Sequence, residues 1–264
     1  MKHNPFSLEG KVVLVTGASS GIGAQCAIDC SNMGARVILV GRNETRLNET
    51  LTQMTGDGHT AICYDLGNLN GIAELVEQLH NSYIHIDGLI HGAGIEKTIP
   101  LKFLLPQDYE EVWRINTLSA FELIRCISSI KYKNTGCHFV LISSIASVIG
   151  RLGVTAYAAS KGAMVAAVKP MALELAAKEM TVNCVSPGTV LTPMMNKYLS
   201  SLSEENKQKR LSGFPLGVGT VNDVSNVCTF LLSNAARWIT GQNIVVDGGY
   251  TCLLYTSPSP RDTR

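Results

Sequence analysis

The feature that most limits how this chain can fold is a rhythm: short β-branched runs alternate with helical segments along nearly its whole length. Val12 to Thr16, Arg36 to Val40, Thr60 to Tyr64, Ile86 to His91, His138 to Ser143, Thr181 to Val185 and Asn243 to Val246 read as strands. Gly21 to Met33, Asn43 to Met54, Leu69 to His80, Asp108 to Ile130, Tyr157 to Lys178 and Val221 to Leu232 read as helices. The strands are apolar almost throughout instead of alternating, which is the pattern of strands buried on both faces. The expected architecture is therefore α/β: a doubly wound, seven-stranded parallel sheet with helices on both faces and right-handed connections. One polar stretch, Pro193 to Gly219, follows a strand end without a clear pattern and is expected to be an irregular lid.

Composition narrows the class of function. With 45% apolar and 16% charged residues, the 264-residue chain can fill one large core. Twenty-two Lys and Arg against 21 Asp and Glu leave a charge of +1, so no general attraction to nucleic acid or to an acidic membrane is expected. No apolar run approaches the ~18 residues of a membrane span, and no apolar stretch follows Lys2 and His3, which predicts a cytoplasmic protein. The eight cysteines are scattered through apolar runs and read as reduced, buried thiols. Cys26 and Cys30 lie one helical turn apart, but no second Cys or His pair accompanies them, and no metal is assigned. No linker or repeat interrupts the alternation, so residues 1–251 are expected to form a single domain. From Cys252 the chain reads CLLYTSPSPRDTR, which breaks composition with everything before it and resembles a translated sequencing adapter. Residues 252–264 are taken as a non-native tail without function.

Where the first strand hands over to the first helix stands Thr16-Gly17-Ala18-Ser19-Ser20-Gly21-Ile22-Gly23. Such a turn lets backbone N–H groups and the helix dipole meet a pyrophosphate, and larger side chains in place of the glycines would block the approach. Gly17, Ser19, Ser20, Gly21, Ile22 and Gly23 are thus candidate cofactor contacts. In dinucleotide folds an acid roughly 20 residues further on holds the ribose 2′-hydroxyl of NAD. Here the second strand ends in Val40-Gly41-Arg42-Asn43, with no carboxylate. Arg42 offers a planar fork of donors suited to a 2′-phosphate, so NADP(H) is expected over NAD(H).

The chemistry points to Tyr157-Ala158-Ala159-Ser160-Lys161, preceded by Ser143-Ser144. Tyr157 and Lys161 are four apart on a helix and share one face. A cation ~4 to 5 Å from the phenol, at an effective dielectric of about 20, favours phenolate by roughly 3 to 4 kcal/mol, so the tyrosine is expected to titrate below its usual range and serve as a general acid or base. Ser144, at a strand end, can donate to a substrate carbonyl oxygen and steady the developing alkoxide.

The glycine spacing at 17, 21 and 23, together with Ser144, Tyr157 and Lys161, resembles the short-chain dehydrogenase/reductase family, and the resemblance covers Leu8 to Thr251. It implies a Rossmann-like fold and an NAD(P)-dependent oxidoreductase. It also implies that Asn116 completes a catalytic Asn-Ser-Tyr-Lys set and holds a relay water. Asp65, with Leu66 beside it, would contact the adenine, and Ala93 and Gly94 would keep the close backbone approach to the cofactor. Pro187, Gly188, Val190 and Thr192 would lie against the nicotinamide, whose ribose Tyr157 and Lys161 also bind. Where many relatives carry Asn-Asn-Ala-Gly, this chain has His91-Gly92-Ala93-Gly94, so the bracing role of the second asparagine lacks its side chain. His91 is read as a satisfied buried histidine, with an acid–base role as the alternative.

The stretches around Phe214 to Gly217, Thr240 to Asn243 and Val246 to Gly249 most resemble 3-oxoacyl-[acyl-carrier-protein] reductases of fatty-acid biosynthesis, a similarity shared by sugar, steroid and alcohol dehydrogenases. The expected reaction is NADPH-dependent reduction of a ketone, as an acyl thioester carried on an acyl carrier protein or as one of those other substrates. A non-catalytic NADP-binding sensor or scaffold is the alternative from a different class. For an acidic carrier, Lys131, Lys133 and Lys178 are candidates for a basic patch. The resemblance further implies a homo-oligomer, a dimer or tetramer, built on the helices from Asp108 and Tyr157.

Overall fold

In the computed structural model, residues 4–83, 85–132 and 135–253 are described. Seven strands, β1 (Val12–Thr16), β2 (Arg36–Gly41), β3 (Thr60–Cys63), β4 (Gly88–His91), β5 (His138–Ile142), β6 (Thr181–Pro187) and β7 (Asn243–Val246), form one sheet in the order β3-β2-β1-β4-β5-β6-β7. Every pairing is parallel. The connecting helices are α1 (Gly21–Asn32), α2 (Glu44–Leu51), α3 (Ile72–Tyr83), α4 (Pro106–Trp113), α5 (Ser119–Ile127), α6 (Thr155–Leu175), α7 (Pro193–Leu199), α8 (Glu204–Leu211), α9 (Val221–Leu232) and α10 (Tyr250–Leu253). Residues on alternate sides of each strand feed two separate cores, as a period of two requires. Leu14, Ile38, Leu89, Phe139 and Val182 pack with α3, α5 and α6. Val13, Val15, Val37, Leu39, Ile90 and Val140 pack with α1 and α9. Because β1 pairs with both β2 and β4, the chain direction across the sheet reverses between them. A crevice opens beyond the carboxyl ends of the strands at such a point, and ligands of open α/β sheets bind there.

Two expectations need correction. The helix predicted from Asp108 to Ile130 is broken: α4 runs into a π-helical turn at Arg114–Leu118, and α5 follows. Periodicity could not show this, since a π turn absorbs one extra residue while the apolar faces on both sides stay in phase. Pro193 to Gly219 is likewise not irregular. It holds two short helices, each started by a hydroxyl: Thr192 Oγ1 accepts from Met195 N–H at 3.2 Å and Ser203 Oγ from Asn206 N–H at 3.4 Å. The two ends of this insert are tied together by Leu191 N–H to Gly219 O at 3.1 Å and Gly219 N–H to Thr189 O at 3.0 Å. At the terminus α10 includes Cys252 and Leu253, whereas residues 254–264 of the proposed tail lie outside the described residues. Among the described residues no helix is long and apolar enough to cross a membrane. Cys63 and Cys252 are exposed and the other six thiols are buried.

Two buried histidines make stability depend on pH. His91 is pulled down to about 3, first by burial and then by the Lys161 charge. His138 is pulled down to about 4, by burial and then by Lys11. Both rings are neutral in the folded state, whereas the unfolded chain binds their protons near pH 6.5. Their contribution is therefore intact above pH 6.5 and falls as the pH drops, by about 1.4 kcal/mol per pH unit for each ring. Denaturant unfolding is expected to show about 3 to 4 kcal/mol less stability at pH 5 than at pH 7 from these two groups, and His138→Gln to remove about half of it. Identical stability at the two pH values would mean that the rings are protonated in place.

Candidate active site

The crevice is a cleft of about 980 Å³. At one end β1 delivers the glycine turn. Gly17 has φ +68°, and a Cβ there would come within 2.7 Å of Ala93 N and of Gly92 O. At Gly23 a Cβ would run into the Gly17 carbonyl. The two glycines let the turn, β4 and the first turn of α1 close on one another, and the loop walls one side of the cleft. Ser20 sits at the helix N-cap with its side chain unused as a cap, so the first N–H groups of α1 keep their capacity for an incoming acceptor.

Gly92 is explained by the same crowding. A Cβ at this position would stand 2.9 Å from Thr16 O, leaving no room for the asparagine of many relatives. Its bracing is done by neighbours instead. Thr16 Oγ1 bonds His91 Nδ1 at 3.0 Å and accepts Ala93 N–H at 3.2 Å, while Gly92 N–H reaches Thr16 O at 3.2 Å. His91 Nε2 faces Ser119 Oγ at 3.5 Å, and the ring is fully buried. The histidine thus holds β1, β4 and α5 together and sits apart from the cleft lining.

All the residues expected to bind cofactor line this one cleft: the glycine turn, Arg42, Asp65, Leu66, Ala93, Gly94, Pro187, Gly188, Val190, Thr192, Tyr157 and Lys161. Arg42 follows β2, and Asn43 caps α2 by accepting Arg46 N–H at 2.9 Å. That cap brings a second arginine, Arg46, to the same wall. Arg46 was missed in the sequence because only the cap geometry shows that the first turn of α2 faces the cleft. Neither arginine has an ion-pair partner among the described residues. Two guanidinium groups without an ion-pair partner, one after β2 and one on α2, give this wall donors for an anionic group of a cofactor.

At the other end of the cleft stand Ser144, Tyr157 and Lys161. Ser144 follows β5 and accepts Ala146 N–H at 3.1 Å; its side chain also acts on the Tyr157 phenol, lowering it. Lys161 is fixed from below, its Nζ donating to Ile142 O at 2.7 Å and lying 5.8 Å from the Tyr157 ring centroid. Asn116 comes from the π turn and is fully buried behind Gly94. Its Nδ2 donates to Ile95 O and to Ser160 Oγ, each at 3.0 Å, and its Oδ1 accepts Ile95 N–H at 2.8 Å. The amide clamps the loop after β4 to α6, one residue from Lys161.

The direction of the tyrosine's shift overturns the expectation from sequence. Burial, with the Glu96 charge second, pushes the phenol up to about 12; the Ser144 hydrogen bond and Arg151 oppose it only in part. Burial lowers the lysine instead, to about 8. Helical spacing reveals the Lys161 cation but not the burial that holds the phenol protonated. A phenol held protonated beside a serine hydroxyl is arranged to donate to an oxygen that gains charge.

Comparison with known proteins agrees with this assembly. Residues 17–251 match the family model described as enoyl-(acyl carrier protein) reductase. The chain is 34% identical over 245 residues to the 3-oxoacyl-[acyl-carrier-protein] reductase FabG of Thermotoga maritima, covering 92% of this chain and 98% of that protein. Among solved structures, a 7α-hydroxysteroid dehydrogenase complexed with NADH and 7-oxo glycochenodeoxycholic acid superposes with a TM-score of 0.87 at 29% identity, covering 93% of this chain and 96% of that one. A provisionally assigned 2-deoxy-D-gluconate 3-dehydrogenase of Agrobacterium tumefaciens with bound NADP does so with a TM-score of 0.85 at 28% identity, covering 95% and 100%. The chain belongs to the short-chain dehydrogenase/reductase family. It is an oxidoreductase of that family, and its fold is the Rossmann-like one the family shares.

Proposed function

We propose that the protein reduces a ketone to a secondary alcohol with NADPH, and that a 3-oxoacyl thioester is its substrate. The observation that carries the reading is the grouping of Ser144, Tyr157 and Lys161 in one cleft. When bound along the glycine turn, Arg42, Arg46 and Asp65, the nicotinamide cofactor supplies a hydride. The Ser144 hydroxyl donates to the substrate carbonyl oxygen, and the Tyr157 O–H passes its proton to that oxygen as charge develops. Lys161 fixes the phenol's surroundings and, with Asn116, returns a proton to it from solvent. The purified protein is expected to consume NADPH when given a short 3-oxoacyl thioester. No consumption, with NADPH still bound, would move the substrate to a sugar, a steroid or another alcohol; that second reading draws support from a charged pair, Glu96 and Arg151, in the substrate end of the cleft. A protein that binds NADPH and turns over no carbonyl of any class would be a sensor or scaffold.

The preference for NADPH rests on Arg42 and Arg46. Arg42→Asp is expected to shift the NADPH/NADH ratio of kcat/KM about tenfold to a hundredfold toward NADH, the worth of one charge-assisted hydrogen bond and its loss. Steady-state kinetics with both cofactors measures this, and an unchanged ratio would remove Arg42 from the phosphate site.

An acyl carrier partner would not meet the lysines singled out in the sequence. Lys131 pairs with Glu77 at 2.5 Å and Lys178 donates to Ser128 O, and both precede β5 and β6, at the opposite end of the strands from the cleft. Lys133 lies outside the described residues. At the cleft itself Lys197 of α7 is exposed and is the better contact for an acidic carrier. A homo-oligomer is supported by large apolar side chains left in solvent near α4 and α5, among them Phe103, Leu105, Trp113 and Leu118, and by Trp238, which is 86% exposed. Light scattering is expected to return a dimer or tetramer mass.

A further inference from the structure

The chamber beyond Tyr157 contains an ion pair that the reaction does not consume. Glu96 and Arg151 are only 15% and 19% exposed. One guanidinium nitrogen of Arg151 meets Glu96 Oε1, and the Thr98 hydroxyl donates to the same oxygen at 3.3 Å. The guanidinium carbon lies 5.2 Å from the centroid of the Tyr198 ring, on α7 of the insert. Burying two charges costs more than a single contact returns unless their remaining hydrogen-bonding capacity is met. Glu96 receives Arg151 and Thr98 on one oxygen, Oε1. A guanidinium carries five N–H donors in a rigid fork, and among the described residues Glu96 is the only acceptor hydrogen-bonded to that of Arg151.

The charge balance of this end of the cleft points the same way. Glu96 is its one carboxylate, against Arg151, Lys161 and Lys197. Lys197 forms no ion pair among the described residues. Both members of the pair line the cleft with Tyr157 and act electrostatically on its phenol, Glu96 raising it and Arg151 lowering it. Ile145, Ile149 and Met194 add apolar wall to the same chamber.

We infer that Arg151, oriented by Glu96 and stacked on Tyr198, receives a carboxylate carried by the carbonyl substrate itself, so that the preferred substrate is a short carbonyl compound bearing its own acid group. The inference rests on the ketone reduction proposed above and takes the second reading of its substrate, a carbonyl compound other than a long acyl thioester. A long unbranched acyl chain would cover both charges and offer neither a partner, whereas a carboxylate uses the unspent arm of the fork. Arg151 is then a specificity residue and Glu96 a positioning residue that holds the fork in line.

Titration calorimetry with the full chain tests the recognition without turnover, using 3-hydroxyglutarate and its neutral dimethyl ester as probes. The wild type is expected to bind the acid at least about tenfold more tightly than the ester. Arg151→Gln is expected to erase that preference, while Arg151→Lys, which keeps the charge and loses the fork, retains part of it. Glu96→Gln is expected to keep the preference and to move the pH profile of NADPH oxidation toward lower pH, a change that a purely structural role would not cause. Equal binding of acid and ester by the wild type, or an acid preference that survives Arg151→Gln, would overturn the inference. Acid binding that depends on Arg151 in a protein that reduces no ketone would keep the recognition and remove the reduction; ketone reduction indifferent to Arg151 would do the reverse.

Discussion

Tyr157→Phe is expected to lower the rate of NADPH-dependent ketone reduction by two to four orders of magnitude, the range that a positioned general acid supplies. The change removes one oxygen. That oxygen is the proton donor in the proposed chemistry, and it shares the cleft with the Ser144 side chain. Ser144 keeps its bond from Ala146 N–H, so the serine stays in place and the loss falls on proton transfer. Removal of a buried hydroxyl with one hydrogen bond costs about 1 kcal/mol of stability, a small change for a domain of this size. NADPH affinity, measured by fluorescence titration, is expected to stay within a few-fold of wild type. A variant that reduces the ketone at the wild-type rate would take Tyr157 out of the mechanism, and one that loses NADPH as well as activity would make it a binding residue.

The second large effect is steric. Gly17→Ala places a methyl group 2.7 Å from three backbone atoms of Gly92 and Ala93, at φ +68°. A left-handed backbone costs a residue other than glycine about 1 to 2 kcal/mol, and the overlap adds to it because the main chain just after β4 cannot swing aside as a side chain can. A loss of about 3 kcal/mol or more is expected, seen as a fall in Tm of roughly 6 to 12 °C. NADPH binding should weaken with it. Two controls separate the causes. Gly10 has φ +78° with nothing within 4 Å of an added Cβ, so Gly10→Ala carries the backbone cost alone. At Gly23 φ is ordinary and the overlap with the Gly17 carbonyl remains, so Gly23→Ala carries the steric cost alone. A Gly17→Ala protein as stable as Gly10→Ala would show that the turn relaxes away from β4.

The sheet was legible because its strands are apolar on both faces and each is punctuated by a turn; β1 and β5 coincide with the expected runs to within a residue. The Tyr157/Lys161 pair was legible because four residues is close to one helical turn. What stayed hidden depends on contacts between distant segments. Arg46 reaches the cleft only through the Asn43 cap. Glu96 and Arg151 are 55 residues apart in the chain and meet only in the folded chamber. The phenol's shift was misjudged for the same reason: spacing along a helix reveals a neighbouring charge, but burial is a property of everything packed around it.

The π turn at Arg114–Leu118 has a consequence for the length of the chain itself. Val112 before it and Leu123 after it are both buried, and a π turn takes up one residue more than the regular helix on either side of it. A deletion of one residue within that turn would therefore restore a regular helix and leave Leu123, Ile124 and Ile127 of α5 in their core. What it would discard is the outward fold of backbone that carries Asn116 across to Ile95 and Ser160. Here the protein carries one residue more than its scaffold needs, and shortening the turn would tend to smooth the helix while uncoupling the loop after β4 from α6.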